Sequence, residues 1–226
     1  MSTQLTGQMT AHMDTDGDLV LDHVSYQPGP LLLDDVSVSF PAGRVTALSG
    51  PSGSGKTTLL SIAGGLIAPS TGYATYDGRE TWQGDGDPPP EIAFVLQVYG
   101  LVPILSAREN VAIALRARGV SWTDASDRAE AALARFDIAD LGDRQVEELS
   151  GGQLQRVACA RGLVVGAPVL LADEPTSELD QGNVAVVLDA LRAEADRGCV
   201  VVIATHDPAI VELADLHVAL DEGRIA

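Results

Sequence analysis

Gly50-Pro-Ser-Gly-Ser-Gly-Lys-Thr57 constrains this chain more than any other stretch, because it fits the phosphate-loop pattern G-x-x-x-x-G-K-[ST]. Its context is the required one. Val45, Thr46, Ala47 and Leu48 read as a short buried strand, and Thr58, Leu59, Leu60, Ile62 and Ala63 open an apolar-faced helix. Glycines at positions 50, 53 and 55 let successive backbone N–H groups turn inward at a helix N-terminus, which already favours anions. Gly50, Pro51, Ser52, Gly53, Ser54 and Gly55 would cradle the phosphates, with Thr58 following in the helix. Lys56, the only lysine in the sequence, would reach the terminal phosphates, and the Thr57 hydroxyl would hold Mg²⁺. The stretch implies binding of a nucleoside triphosphate.

Such a site must be locally positive against an unfavourable global field, since the formal net charge is −18. That charge argues against sequence-independent nucleic-acid binding and against docking on anionic lipid headgroups. The longest apolar runs fall short of the roughly 20 residues that span a bilayer, so no direct lipid insertion is expected. The N-terminus has neither the basic nor the apolar region of a secretory leader, and Cys159 and Cys199 suggest no disulfide framework. A cytoplasmic chain is expected.

Along the chain, residues 1–18 read as a mobile tail. Strand patterns follow: Leu19, Leu21 and His23 alternate with Val20, Asp22 and Val24, and later Val36, Val38 and Phe40 alternate with Ser37 and Ser39. A buried strand over 92–96 delivers Gln97. The middle is helical: Ser106-Ala-Arg-Glu109 is a capping box, a second helix runs over about 123–136, and a third follows Leu149-Ser-Gly-Gly-Gln153. Strand–helix alternation then resumes to the end. The pattern predicts an α/β fold, with a largely parallel sheet interrupted by a helical insertion.

A phosphate loop alone leaves kinase, GTPase and motor readings open. Val169-Leu-Leu-Ala-Asp173-Glu174 narrows them, because two carboxylates at the end of an apolar strand are costly unless a cation such as Mg²⁺ offsets them. Asp173 reads as the metal-side carboxylate. Glu174 is placed to polarise a water for in-line attack on a γ-phosphate. His206 follows the apolar strand 200–204 and Thr205, so parallel neighbours would bring it to the same sheet edge as Asp173. Leu149, Ser150, Gly151, Gly152 and Gln153 form a second helix N-terminus with small residues and open N–H groups.

In this order and spacing, the phosphate loop, Gln97, LSGGQ at 149–153, the strand ending in Asp173-Glu174 with Pro-Thr-Ser-Glu-Leu-Asp180 after it, and His206 are similar to the ATP-binding-cassette ATPases. The resemblance covers nearly all of 19–225. It implies a P-loop nucleotide-binding core (19–97 and 166–226) with an N-terminal antiparallel β subdomain, and a helical subdomain (98–165) carrying the signature. It also implies a head-to-tail dimer around two ATP, in which 149–153 of one protomer completes the γ-phosphate site of the other. Carried over by position, Tyr26 would stack on adenine, Gln97 would touch Mg²⁺ and the attacking water, His206 the γ-phosphate, and Asp180 would link the two sites.

Within that family, Leu-Ala-Asp-Glu-Pro-Thr, Glu-Asn-Val and Leu-Arg-Ala-Arg-Gly look most like the lipoprotein-release, macrolide-export and cell-division group, which works beneath integral membrane permease subunits. Two departures stand out. The segment before Gln97 is short and rich in Pro, Gly and Asp, and the loop after Glu174 reads Thr-Ser-Glu-Leu-Asp rather than Thr-Gly-Asn-Leu-Asp. The first leaves solute importers open. An exporter-type transport ATPase docked through 98–105 and the helical insertion is expected, with a cell-division or cell-wall-hydrolase regulator that transports nothing as the alternative.

Overall fold

The computed structural model describes residues 17–226. The expected tail lies outside the described residues except for its last two; of these, Asp18 accepts a hydrogen bond from the Ala42 N–H at 3.0 Å. Two sheets follow. The smaller has the order β2-β1-β4-β5 and is antiparallel throughout, built from β1 (Leu19–Tyr26), β2 (Leu33–Phe40), β4 (Thr71–Tyr76) and β5 (Arg79–Glu80). The larger runs β10-β9-β3-β8-β7-β6, from β3 (Val45–Ser49), β6 (Ile92–Val95), β7 (Val169–Asp173), β8 (Val200–Thr205), β9 (Leu216–Asp221) and β10 (Arg224–Ile225). All its pairings are parallel except β9 with β10.

Strand periodicity divides the interior into two cores. Val169, Leu171, Val200, Val202 and Ala204 point to one face, where they meet α1 (Lys56–Ala63) and the smaller sheet through Leu19, Leu21, Phe40, Leu59 and Ile62. Leu170, Ala172, Val201 and Ile203 point to the other, against helices α2 (Ala107–Arg116), α3 (Trp122–Ala134), α4 (Gly151–Leu163) and α5 (Gln181–Asp196). Burial on both faces is why β7 and β8 read as unbroken apolar runs rather than alternating ones. A short α6 (Pro208–Leu213), with proline at its first turn, leads into β9.

The simple alternation expected for β1 holds only to Leu21. His23 adopts a left-handed backbone, φ 49°, and between the pairs Leu21–Val38 and Val24–Val36 two β1 residues, Asp22 and His23, stand against one on β2, Ser37. This bulge turns His23 outward and brings Val24 into the core. The His23 ring then bonds Asp35 at 2.7 Å, itself left-handed at φ 54°.

Candidate active site

Parallel register sets the site. Ser49 pairs with Thr205, and Asp173 with Ala204, so β3, β7 and β8 end side by side at one edge of the sheet. From those ends come the phosphate loop, Asp173-Glu174 and His206. The loop needs glycine at its first position: Gly50 has φ 153°, and a Cβ there would stand 2.1 Å from the Leu220 carbonyl oxygen. The C-terminal hairpin thus backs the loop, and the Gly223 N–H also donates to the Ser54 carbonyl at 3.1 Å. The sequence reading missed this seat, since Glu222-Gly223 is not one of the common two-residue hairpin pairs.

Among the six α-helices described, α1 alone has no side-chain cap; its N-cap is Gly55. Ser106, Ser121, Ser150, Asp180 and Asp207 cap the other five. Donors of the first turn of α1 are therefore left for an anion in the loop. Lys56 is almost fully buried and folds back, donating from Nζ to the Gly50 carbonyl at 2.8 Å and the Pro51 carbonyl at 3.2 Å. Pro51, Ser52, Gly53 and Thr57 are exposed, Gly55 and Thr58 half-buried, and Ser54 buried.

Thr57 and Asp173, 116 residues apart, meet directly: the Thr57 hydroxyl donates to Asp173 Oδ2 at 2.6 Å. Burial pushes the Asp173 carboxyl above its ordinary pKa. The Thr57 hydrogen bond and Lys56 pull it down, while the Glu174 charge adds to the rise. Glu174 is held by its backbone, which continues the ladder by donating to the Ala204 carbonyl at 2.9 Å before turning left-handed at φ 48°. That conformation before a proline is strained and is a feature of functional sites. Glu174 Oε1 lies 2.8 Å from His206 Nδ1. The Glu174 side chain is 11% exposed and that of His206 71%, so the histidine covers the carboxylate from outside. His206 also lines a cleft with Gly50 and Pro51, beside the phosphate loop.

Thr57 and Asp173 offer hard oxygen donors at one point, the kind of set that takes Mg²⁺ together with phosphate oxygens and water. These residues therefore fit the metal. Gln97 lies exposed two residues past the end of β6, on the strand next to β7. Tyr26 is half-buried at the end of β1 and pairs with Leu33, whose side chain lies against Gly55.

The segment 149–153 lies against the loop that follows Glu174. Leu149 is buried, and Ser150 and Gln153 form a reciprocal capping box: Gln153 Oε1 accepts from the Ser150 N–H at 2.9 Å, and Ser150 Oγ from the Gln153 N–H at 3.4 Å. The pattern Ser-x-x-Gln carried that signal in the sequence. Gly151 and Gly152 lie against Glu178, with Cβ positions 3.2 Å from its Oε2 and 2.9 Å from its carbonyl oxygen. Asp180 caps α5, accepting from the Asn183 N–H at 3.0 Å, and that bond holds its carboxyl below the usual range.

Residues 33–177 match the family described as ABC transporter. Over 200 residues the chain is 40% identical to the macrolide export ATP-binding/permease protein MacB of Burkholderia pseudomallei, covering 86% of this chain and 31% of that protein. It is 41% identical over 214 residues to an uncharacterised ABC transporter ATP-binding protein of Mycobacterium tuberculosis, covering 90% of this chain and 65% of that one. The chain thus spans less than a third of the macrolide-export relative. The dimeric structure of MJ0796, a bacterial ABC transporter cassette, superposes with a TM-score of 0.85 at 31% identity, over 92% of this chain and 96% of that one. A second dimeric structure of that cassette, in a post-hydrolysis state with ADP and Pi, matches equally well.

Proposed function

The chain belongs to the ABC transporter family, and from that premise we propose that it is an ATP-binding and ATP-hydrolysing subunit. Two cassettes would close head-to-tail around two ATP and drive conformational change in membrane permease subunits of exporter type. The observation that carries the hydrolytic part is the 2.6 Å contact between Thr57 of the phosphate loop and Asp173 at the end of β7. It supports reading Thr57 and Asp173 as the joint where a phosphate-binding turn and a metal-side carboxylate would meet.

The open N-terminus of α1 and the Lys56 ammonium would bind the β- and γ-phosphates, the ammonium leaving the two loop carbonyls it now contacts. Thr57, Asp173 and Gln97 would hold Mg²⁺, whose role when bound is to neutralise charge developing on the phosphates. Glu174, nearly buried and fixed at φ 48°, would take a proton from the attacking water. His206 Nδ1 orients that carboxylate, and its exposed side would face the γ-phosphate. Tyr26 would stack on the adenine. Ser150, Gly151, Gly152 and Gln153 of the second protomer would close the site, and Asp180 would link the two sites. The dimeric cassettes that superpose on this chain support the pairing.

Val98 and Ile104, each 80% exposed, and Val102, 36% exposed, give the segment 98–105 an apolar surface suited to a membrane subunit. No helix among the described residues is long and apolar enough to cross a membrane itself. On this proposal the cassette would sit on the cytoplasmic face through its permease partner. Similarity to a macrolide export ATP-binding/permease protein favours the exporter reading.

Glu174→Gln tests the core of this proposal. Turnover should fall by about 10²-fold or more, while ATP and Mg²⁺ now trap a dimer that elutes at twice the monomer mass. A variant that still hydrolyses at the wild-type rate sinks the general-base role.

A further inference from the structure

Arg161 is the one charged residue in an apolar run, Val-Ala-Cys-Ala-Arg161-Gly-Leu-Val-Val, in the last turn of α4. It is half-buried, and burial lowers its pKa. Its guanidinium is spent on backbone: Nη1 donates to the Gly100 carbonyl at 2.5 Å and Nη2 to the Tyr99 carbonyl at 2.6 Å. Two consecutive carbonyls face one fork because Tyr99 and Gly100 are both left-handed, at φ 58° and 62°. That conformation is costly for a tyrosine and persists only where the surroundings fix it. The loop is also packed close at this point, since a Cβ on Gly100 would lie 3.2 Å from Arg161 Nη2.

The same loop reaches the opposite end of the helix. The Tyr99 hydroxyl lies 3.7 Å from the Cβ position of Gly151, in the first turn of α4. The residues directly after Gln97 are thus hydrogen-bonded to the last turn of α4 and lie in van der Waals range of its first turn, which belongs to the 149–153 segment.

We propose that Arg161 is a positioning residue for hydrolysis: it fixes the Gln97 loop to the signature helix, so that Gln97 and 149–153 move as one body. Gln97 would then meet the metal and the attacking water only when α4 also brings Gly151 and Gly152 to the partner's phosphate. This rests on the roles given above to Gln97 and to 149–153. Arg161 contacts neither reacting group and acts through the backbone of residues 99–100.

A double-mutant cycle tests it: steady-state ATP hydrolysis by the full chain, with melting temperature and affinity for a fluorescent ATP analogue measured alongside. Arg161→Met removes both bonds and should lower kcat about 10- to 100-fold with KM for ATP within about twofold, since misplacing a group by an ångström costs on that order. Arg161→Lys keeps charge without the fork and should fall between Arg161→Met and wild type. Arg161→Met combined with Gln97→Ala should be no slower than Gln97→Ala alone. Multiplying effects in the double variant overturn the proposal and leave the reading of Gln97 intact. A Gln97→Ala chain at the wild-type rate overturns that reading, and the proposal with it. A lower melting temperature with unchanged kcat per folded molecule assigns Arg161 to stability alone. If Arg161→Met does not fold, the same cycle runs with Arg161→Lys.

Discussion

At the scale of single residues, Asp173 works against the fold that holds it. Desolvation raises its pKa in the folded chain, so the protonated form is the one that folding favours. The stability tied to that proton is present below the ordinary carboxylate value and is lost as pH rises through the raised one. At neutral pH the ionised group is thus held at a cost, which a bound divalent cation would offset. Asp173→Asn should therefore melt at a higher temperature than wild type at pH 7.5, with the gap closing as pH falls, while hydrolysis drops about 10²-fold or more. Thermal melts over a pH series check this; a destabilised Asp173→Asn at pH 7.5 contradicts it. Lys56→Ala should abolish nucleotide binding or turnover, because its ammonium is the only lysine charge at the loop; undiminished hydrolysis overturns the phosphate-loop reading. The positions of Lys56, Thr57, Asp173, Glu174 and His206 were legible because each follows a readable strand and parallel strands align their ends. The left-handed turn at Glu174 and the Ser49–His217 contact at 2.7 Å were not. They depend on backbone geometry and on partners far along the chain, which residue types do not encode.

Among elements, caps allow structure and function to be separated. Ser106 and Ser150 make the same reciprocal box at the starts of α2 and α4, with Glu109 and Gln153 as their third-residue partners. Replacing either serine with alanine removes one side-chain bond to a first-turn helix donor, costing about 1 kcal/mol, or roughly 2–4 °C in melting temperature. Ser106→Ala should leave ATP hydrolysis by the isolated protein unchanged. Ser150→Ala should lose a similar amount of stability and also about tenfold or more in turnover, because the proposed dimer would offer its N-terminus to the partner's nucleotide. Equal turnover in the two variants would remove 149–153 from the reaction. Both boxes are present in the sequence, as Ser-x-x-Glu and Ser-x-x-Gln. The fold class came from the alternation of strands and helices. The failure in β1 has a local cause: a bulge adds one residue and inverts every later side chain, and nothing in the pattern around His23 marks it.

For the whole molecule, charge and assembly pull in opposite directions. In the proposed dimer, two copies that each carry a formal −18 would approach with further negative charge from bound nucleotide, so long-range electrostatics would oppose it. The attraction that would close it, on the proposed reading, is short-ranged: phosphates against helix N-termini, in sites that would exclude much of the solvent. Salt acts unequally on these terms. Raising ionic strength from about 10 mM to about 150 mM shortens the screening length from about 30 Å to about 8 Å, which removes most of the repulsion between distant surface carboxylates and little of the buried contact. The ATP-bound dimer of Glu174→Gln should consequently tighten over this range, by about tenfold in dissociation constant, with most of the gain in association rate. Sedimentation at several salt concentrations with fixed Mg²⁺ measures it. A dimer that weakens steadily with salt would mean that the interface is itself held by exposed ion pairs, and closure would then have to be assigned to surface charge rather than to the nucleotide sites.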